Sequence, residues 1–452
     1  MLESGGLNLE KNTAHLPHQQ MNDIQTINLC ICTSWSLGST HGGIERVRNF
    51  AKNVSLHGAN VYLVDRSLAK SLHALFLDND SYQEIKEGKF YQRRYPLYTR
   101  FLLPGIIKFL QVALSQSIKV LTGFEFFLPD PYLIVKLFFV CKTEKIDLIQ
   151  CEFPTTSFSS FIVKRIIRIP LIYDAHNIES DRLQSFKNAN RMEVVFMKRM
   201  ELLSCHVSDS IFSVSQEDKK RLMSWGIPGN KITVVPNSVE LEQFSPEIDG
   251  NRIREKYQIQ NSFVMIFHGY LSYPPNREAV SILLDMFPNL QKQHDSICLL
   301  LVGQNPPQLP LPDHVIVTGF VKNVKEYIAA ADLAVVPLLS GGGTKIKMLE
   351  YMACGKAIVS TVKAAEGLDL ENEEDVLMCK YPDSEFVNLV GRAIRDSNLR
   401  QRIGASARKK AEEIYGWEKN AKRAVCVYHN LLSTNTNHAE ATHPTLNTRK
   451  EQ

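Results

Sequence analysis

The chain has 452 residues, 44% of them hydrophobic and 22% charged, and a formal net charge of +4 at pH 7. That balance is the balance of a folded globular protein, and the charge is too small to argue for nucleic acid as a partner. The length exceeds what one hydrophobic core supports, which predicts two domains with a cleft between them.

Residues 1–25 hold no apolar run of the kind a secretory leader needs, so they read as a disordered leader on a chain that stays in the cytoplasm. Next, TINLCICT is a short strand, followed by a loop with Gly38, Gly42 and Gly43, a helical pattern from Ile44 to about His57, and a second strand, ANVYLVD. Strand, glycine loop, helix, strand is the opening of a doubly wound α/β domain. Nine cysteines without a CxxC pair read as reduced, mostly buried thiols in a reducing compartment.

Residues 90–121 interleave Arg93, Arg94, Arg100, Lys108 and Lys119 with Tyr91, Tyr95, Tyr98, Phe101 and Phe109, and Pro104 and Gly105 break any spanning run. Two readings fit: a buried helix with a polar flank, or an interfacial helix pair resting on anionic lipid. The second implies peripheral attachment to the cytoplasmic face of the membrane.

Strands are expected at 147–153, 170–176, 210–215 and 231–237, and the polar segment after Asn237 marks a domain junction. The second half repeats the alternation: VMIFHG, a helix from about Arg277, SICLLLVG, HVIVTG, a helix through EYIAAA, LAVVPL, a glycine loop, a helix through MLEYMA, AIVS and DVLMC. The expected architecture is therefore two Rossmann-like doubly wound parallel-sheet domains, 26–236 and 237–416, facing a cleft. Residues 417–432 form a closing helix expected to cross back to the first domain, and the polar, aperiodic stretch 433–452 reads as a disordered tail.

The chemistry centres on SGGGTKIK, after the strand LAVVPL and ahead of a helix. Consecutive glycines let backbone amides approach a ligand, and a helix start adds unpaired N–H donors at the positive end of its dipole. Gly342, Gly343 and Thr344 with Lys345 and Lys347 thus suit a diphosphate, and Glu350 suits the paired hydroxyls of a ribose. No GK[ST] ending follows, so triphosphate hydrolysis is not implied. Gly269 in HGYLSYPPN, Gly303 in VGQ and Gly319 in TGFV are turns at strand carboxyl ends, where ligands of open α/β sheets gather.

The ordered set GGIERV, YDAHNIES, VVPNSVELEQF, FHGYLSYPPN, LLLVG, VTGFV, GGGTKIKMLEYMACGKAIVST, AAEGL and YGWEKN resembles the family 4 glycosyltransferases, the retaining enzymes of GT-B fold, from about residue 27 to 432. Within that family the chain is similar to the sugar transferases of polysaccharide and surface-glycan clusters. The resemblance implies that Glu350 is the second glutamate of the family's paired motif and binds the donor ribose. The first glutamate would stand where this chain has Gly342. The family's arginine and lysine pair for the diphosphate is missing from HGYLSYPPNREAV, which leaves Lys347, with Lys345, as replacement and Arg277 as a weaker candidate. Gly42 and Gly43 match the glycine turn near the donor phosphate, and His176 in DAHN matches the histidine beside the reacting centre. Glu179 and Arg182 read as helix-start residues.

The implied activity is transfer from a nucleotide-sugar co-substrate to a glycan or lipid-linked acceptor, with no other cofactor and no metal, since no Asp-x-Asp motif stands in a convincing context. Paired carboxylates of the glycosidase kind are not evident in the sequence. A sugar-nucleotide epimerase or phosphorylase of the same fold, or a glycan-binding scaffold without catalysis, are the alternatives.

Overall fold

The structure, a computed structural model, describes residues 26–33, 42–65, 85–87, 90–92, 130–186, 189–306 and 310–441. Two sheets organise it. The first has eight strands: β1 (Ile27–Thr33), β2 (Ala59–Asp65), β3 (Ile85–Glu87), β4 (Phe90–Gln92), β5 (Leu148–Glu152), β6 (Leu171–Ala175), β7 (Ser210–Ser213) and β8 (Ile232–Val234), in the order β3-β4-β2-β1-β5-β6-β7-β8. All neighbours are parallel except β3 on β4.

The second sheet holds β9 (Phe263–His268), β10 (Ile297–Val302), β11 (Val315–Val317), β12 (Leu333–Val336), β13 (Ile358–Thr361) and β14 (Leu377–Cys379), all parallel, in the order β11-β10-β9-β12-β13-β14. Strand order reverses between β1 and β5 in one sheet and between β9 and β12 in the other. At such reversal points the crossover loops diverge and leave a crevice at the strand carboxyl ends.

Helices cover both faces, which is why β10 (ICLLLV) and β12 (LAVV) are apolar and buried at every position rather than alternating. In chain order they are α1 (Gly42–Leu56), α2 (Pro131–Thr143), α3 (Pro154–Ile167), α4 (Glu179–Gln184), α5 (Arg191–Val207), α6 (Gln216–Ser224), α7 (Asn251–Lys256), α8 (Pro274–Gln291), α9 (Val324–Ala330), α10 (Ile346–Ala353), α11 (Val362–Ala365), α12 (Ser384–Arg395), α13 (Ser397–Ile414) and α14 (Trp417–Ala441). The nine cysteines are all free thiols, and only Cys426 is exposed.

The chain passes between the two cores twice. Val235 packs in the first core and Val239 in the second, and Tyr415 packs in the second while Trp417 returns to the first. The two crossings lie side by side, since Val239 and Gly416 form a parallel bridge. α14 then lays Ala421, Ala424, Val425 and Tyr428 against the first core.

Several expectations need correction. Gly42 and Gly43 are the first residues of α1, not part of the turn before it; first-turn amides have no intrahelical acceptor, so glycine is tolerated there. The expected strand at 231–237 is only Ile232–Val234. The tail from 433 is not wholly irregular: α14 continues to Ala441, because extending an existing helix adds one hydrogen bond per residue without a new nucleation cost. The proposed interfacial segment 90–121 begins with β4, and its residues 93–121 lie outside the described residues, as do 1–25 and 442–452. Among the described residues no helix is long and apolar enough to cross a membrane.

Candidate active site

The glycine loop and α10 sit where β9 and β12 diverge. The amides of Gly342, Gly343, Thr344, Lys345, Ile346 and Lys347 make no hydrogen bond among the described residues, and Lys345 at the N-cap position supplies no side-chain cap. The Thr344 hydroxyl is buried and also without a partner. Buried polar groups are normally satisfied, so an orphan hydroxyl beside a row of free amides makes this loop a candidate ligand position.

Two cations flank this row. The Lys347 ammonium donates to Asn276 Oδ1 at 2.8 Å and lies 3.9 Å from the centroid of the Phe267 ring. Its approach depends on Gly269, at φ +145°, where a Cβ would stand 3.1 Å from the ammonium nitrogen. Burial lowers the Lys347 pKa to about 7, against the raising effect of Glu350. Lys345 is 3.3 Å from Glu366 Oε2, and burial lowers it to about 8.

Glu350 stands one turn after Lys347 on α10. Its Oε2 is 2.6 Å from His268 Nε2, while His268 Nδ1 is 2.8 Å from the Tyr351 hydroxyl, which also accepts the His268 backbone N–H at 3.0 Å. Tyr351 is fully buried, so its hydroxyl proton goes to Nδ1 and Nε2–H donates to Glu350. That leaves Glu350 Oε1 uncommitted among the described residues.

The far wall comes from the first domain. A Cβ on Gly343, at φ +64°, would sit 1.7 Å from Asn177 Oδ1, and one on Gly342 would sit 2.6 Å from Arg182 Cβ. The loop is therefore glycine on the side that meets the other domain, as well as open toward a ligand. Arg182 bonds Glu179 Oε2 at 2.7 Å, and Asn177 donates to Glu179 Oε1 at 2.9 Å. Glu179 and Arg182 do start a helix, but they also build the cleft wall. Arg182 fills the space that a side chain at position 342 would need.

His176 follows β6 and is buried; its Nε2 bonds Glu152 Oε2, and the Phe153 ring packs on it at 4.2 Å between centroids. Asp174 accepts two hydrogen bonds from Arg46 Nη2, at 3.0 and 3.1 Å, while Arg46 Nη1 donates to Pro236 O and Asn237 Oδ1. The sequence reading found no paired carboxylates, yet Glu152, Asp174 and His176 bring potential ligand atoms within 4.8 Å of one another. An arginine inside the cluster already pairs with Asp174, and Glu152 bonds His176, which suits an ion-pair network rather than a cation site. Sequence reasoning missed Glu152 and Arg46. Their nearest signal was the glutamate next to last in DLIQCEF and the arginine in GGIERV.

Gly303 and Gly319 face each other across an isolated bridge. Gly303 N donates to Gly319 O at 3.1 Å, and a Cβ on Gly303 would lie 1.8 Å from Gly269 O. The missing Cβ at Gly303 lets these strand ends close on one another. Arg277 is exposed on α8.

Comparison with known proteins gives a consistent picture. The family described as Glycosyltransferase Family 4 matches residues 42–243, and the one described as Glycosyl transferases group 1 matches residues 262–396. An uncharacterized glycosyltransferase of Methanocaldococcus jannaschii is 27% identical over 309 residues, covering 64% of this chain and 76% of that protein. The UDP-Gal:alpha-D-GlcNAc-diphosphoundecaprenol alpha-1,3-galactosyltransferase of Escherichia coli is 24% identical, covering 59% of this chain and 71% of its own length. Among solved structures, Anabaena HepE in complex with UDP superposes with a TM-score of 0.62 at 18% identity, over 89% of this chain and 100% of that one.

Proposed function

Because the chain belongs to the glycosyltransferases of family 4, with the two-domain GT-B fold, we propose that it moves a sugar from a nucleoside diphosphate donor to a glycan or lipid-linked acceptor with retention of configuration. The observation that carries this reading is the row of free amides from Gly342 to Lys347, with two cations and the orphan Thr344 hydroxyl, at the strand-order reversal facing the first domain. The UDP complex of the Anabaena protein supports a nucleoside diphosphate, and the diphosphoundecaprenol acceptor in the Escherichia coli enzyme's name supports a lipid-linked one.

In this mechanism the pyrophosphate lies over the glycine loop. Loop amides, the α10 dipole, Lys347 and Lys345 stabilise the negative charge that grows as the glycosidic bond breaks. Glu350, held by Nε2–H of His268, accepts the ribose hydroxyls through its uncommitted oxygen. His176 stands on the sugar side, and the acceptor hydroxyl enters on the face the diphosphate leaves. Contact of Asn177 and Arg182 with the loop excludes water that would hydrolyse the donor. No metal has a step in this scheme, because the cations are side chains.

The test is release of nucleoside diphosphate from a panel of nucleotide sugars, with and without lipid-linked glycan acceptors. Lys347→Ala and Glu350→Ala each reduce turnover by at least a hundredfold; near-normal turnover in both would refute the site.

A further inference from the structure

Around His176 lies a buried carboxylate that the transfer scheme leaves without a task. Glu152 ends a chain of side-chain hydrogen bonds that starts on the crossover helix: the Tyr428 hydroxyl donates to Gln150 Oε1 at 2.6 Å, and Gln150 Nε2 donates to Glu152 Oε1 at 2.7 Å. Both donors point toward Glu152, so Oε1 is an acceptor and carries no proton. The second oxygen, Oε2, faces His176 Nε2. The remaining ring nitrogen, Nδ1, is buried with no partner. It belongs to a residue whose carbonyl lies 3.3 Å from where a Cβ on Gly343 would stand, at the rim of the glycine loop.

Counting protons on this pair fixes the character of Nδ1. With one proton, the only arrangement without opposed lone pairs is Nε2–H donating to the carboxylate, and Nδ1 is then a bare acceptor. With two, the bridging proton rests on Glu152 or on Nε2, and in either case the other proton is on Nδ1. Adding one proton therefore inverts Nδ1 from acceptor to donor, whichever atom keeps the bridge.

We infer that Glu152 is a positioning residue that sets the tautomer His176 presents to the donor sugar, the pair acting as one proton-holding unit. This rests on the reading that His176 borders the donor. The other charged groups facing the pair are Arg46 of α1, Asp174 of β6 and Glu179 of α4. Arg46 neutralises Asp174, and Glu179 is engaged by Arg182 and Asn177. Burial raises Glu152 to about 7 and lowers His176 to about 4, which puts the inversion near neutral pH.

The experiment is long-range proton–nitrogen correlation NMR on the full chain labelled with ¹⁵N-histidine, the His176 signals being identified by their loss in His176→Gln. In the wild type, Nδ1 is unprotonated at about pH 9 and becomes protonated as pH falls through about 7. Glu152→Gln turns its NH2 to Nε2, because Gln150 donates to its one oxygen, so Nδ1 stays protonated across the range. Should that variant not fold, Glu152→Asp withdraws the carboxylate by one methylene and abolishes the transition. Lys347→Met retains it, although that lysine titrates in the same window. Nδ1 protonated at high pH in the wild type, an unchanged transition in the Glu152 variants, or its loss in Lys347→Met would each overturn the inference. The signals are read without donor, so failure here and failure of the transfer assay are separate results.

Discussion

Replacing Lys347 by methionine separates the stability of the empty protein from its grip on the donor. Lys347 has a pKa of about 7 in the fold against an ordinary 10.5, a gap of about 3.5 pH units caused chiefly by burial. Between those values the unfolded chain binds more protons than the native one, so wild-type stability rises with pH across that window. Below about 7 the full cost applies, at most about 5 kcal/mol. Methionine removes that cost. It also leaves Asn276 Oδ1 without its donor, about 1–3 kcal/mol, and loses the contact over the Phe267 ring, about 0.5–2 kcal/mol. The net gain in the empty protein is at most about 3.5 kcal/mol at pH 6, and it shrinks and then reverses as pH rises toward 10.5.

Nucleoside diphosphate binding moves the other way. Loss of a charge-assisted bond, about 1.5–3 kcal/mol, weakens affinity roughly 10- to 150-fold at pH 6. In the wild type, affinity falls about tenfold per pH unit above 7 until the bound lysine itself titrates, and in the variant that slope is absent. Thermal melts at several pH values and calorimetric titrations check both halves. A variant less stable than the wild type at pH 6, a stability gap that ignores pH, or undiminished diphosphate affinity would refute the reasoning.

Further outcomes follow from neighbouring contacts. Gly342→Glu restores the family's usual residue but meets Arg182, so it lowers turnover at least tenfold, and adding Arg182→Gly in that background recovers part of the loss; no recovery would contradict the contact seen here. Thr344→Val removes an unpartnered buried hydroxyl, so the empty protein melts at or above the wild-type temperature while diphosphate affinity drops about tenfold. A chelator leaves turnover unchanged; inhibition reversed by added magnesium or manganese would defeat the metal-free scheme.

Much of the fold was legible because parallel strands buried on both faces leave unbroken apolar runs such as SICLLLVG, with glycine or proline at their ends. The glycine-loop side of the candidate site was legible for a similar reason. Three glycines before a helix that carries Lys347 and Glu350 form a local pattern, and its chemistry is contained within a dozen residues. The opposite wall was not. Arg46 meets Asp174 across 128 positions, and Tyr428 meets Gln150 across 278. Neither separation has a periodicity to read, and each pairing exists only once the sheet order and the return of α14 are known. A glycine after a strand looks the same in sequence whether it faces a ligand or, as Gly303 does, another backbone.

Calorimetric titration of the purified protein with UDP and then UMP, repeated on Lys347→Met, bears most directly on the claim that the glycine loop and its lysines hold a departing pyrophosphate. UDP binding at least tenfold tighter than UMP, with that preference collapsing in the variant, is the predicted result. Equal affinity for the two nucleotides, or a preference for UDP that survives the loss of Lys347, would contradict it.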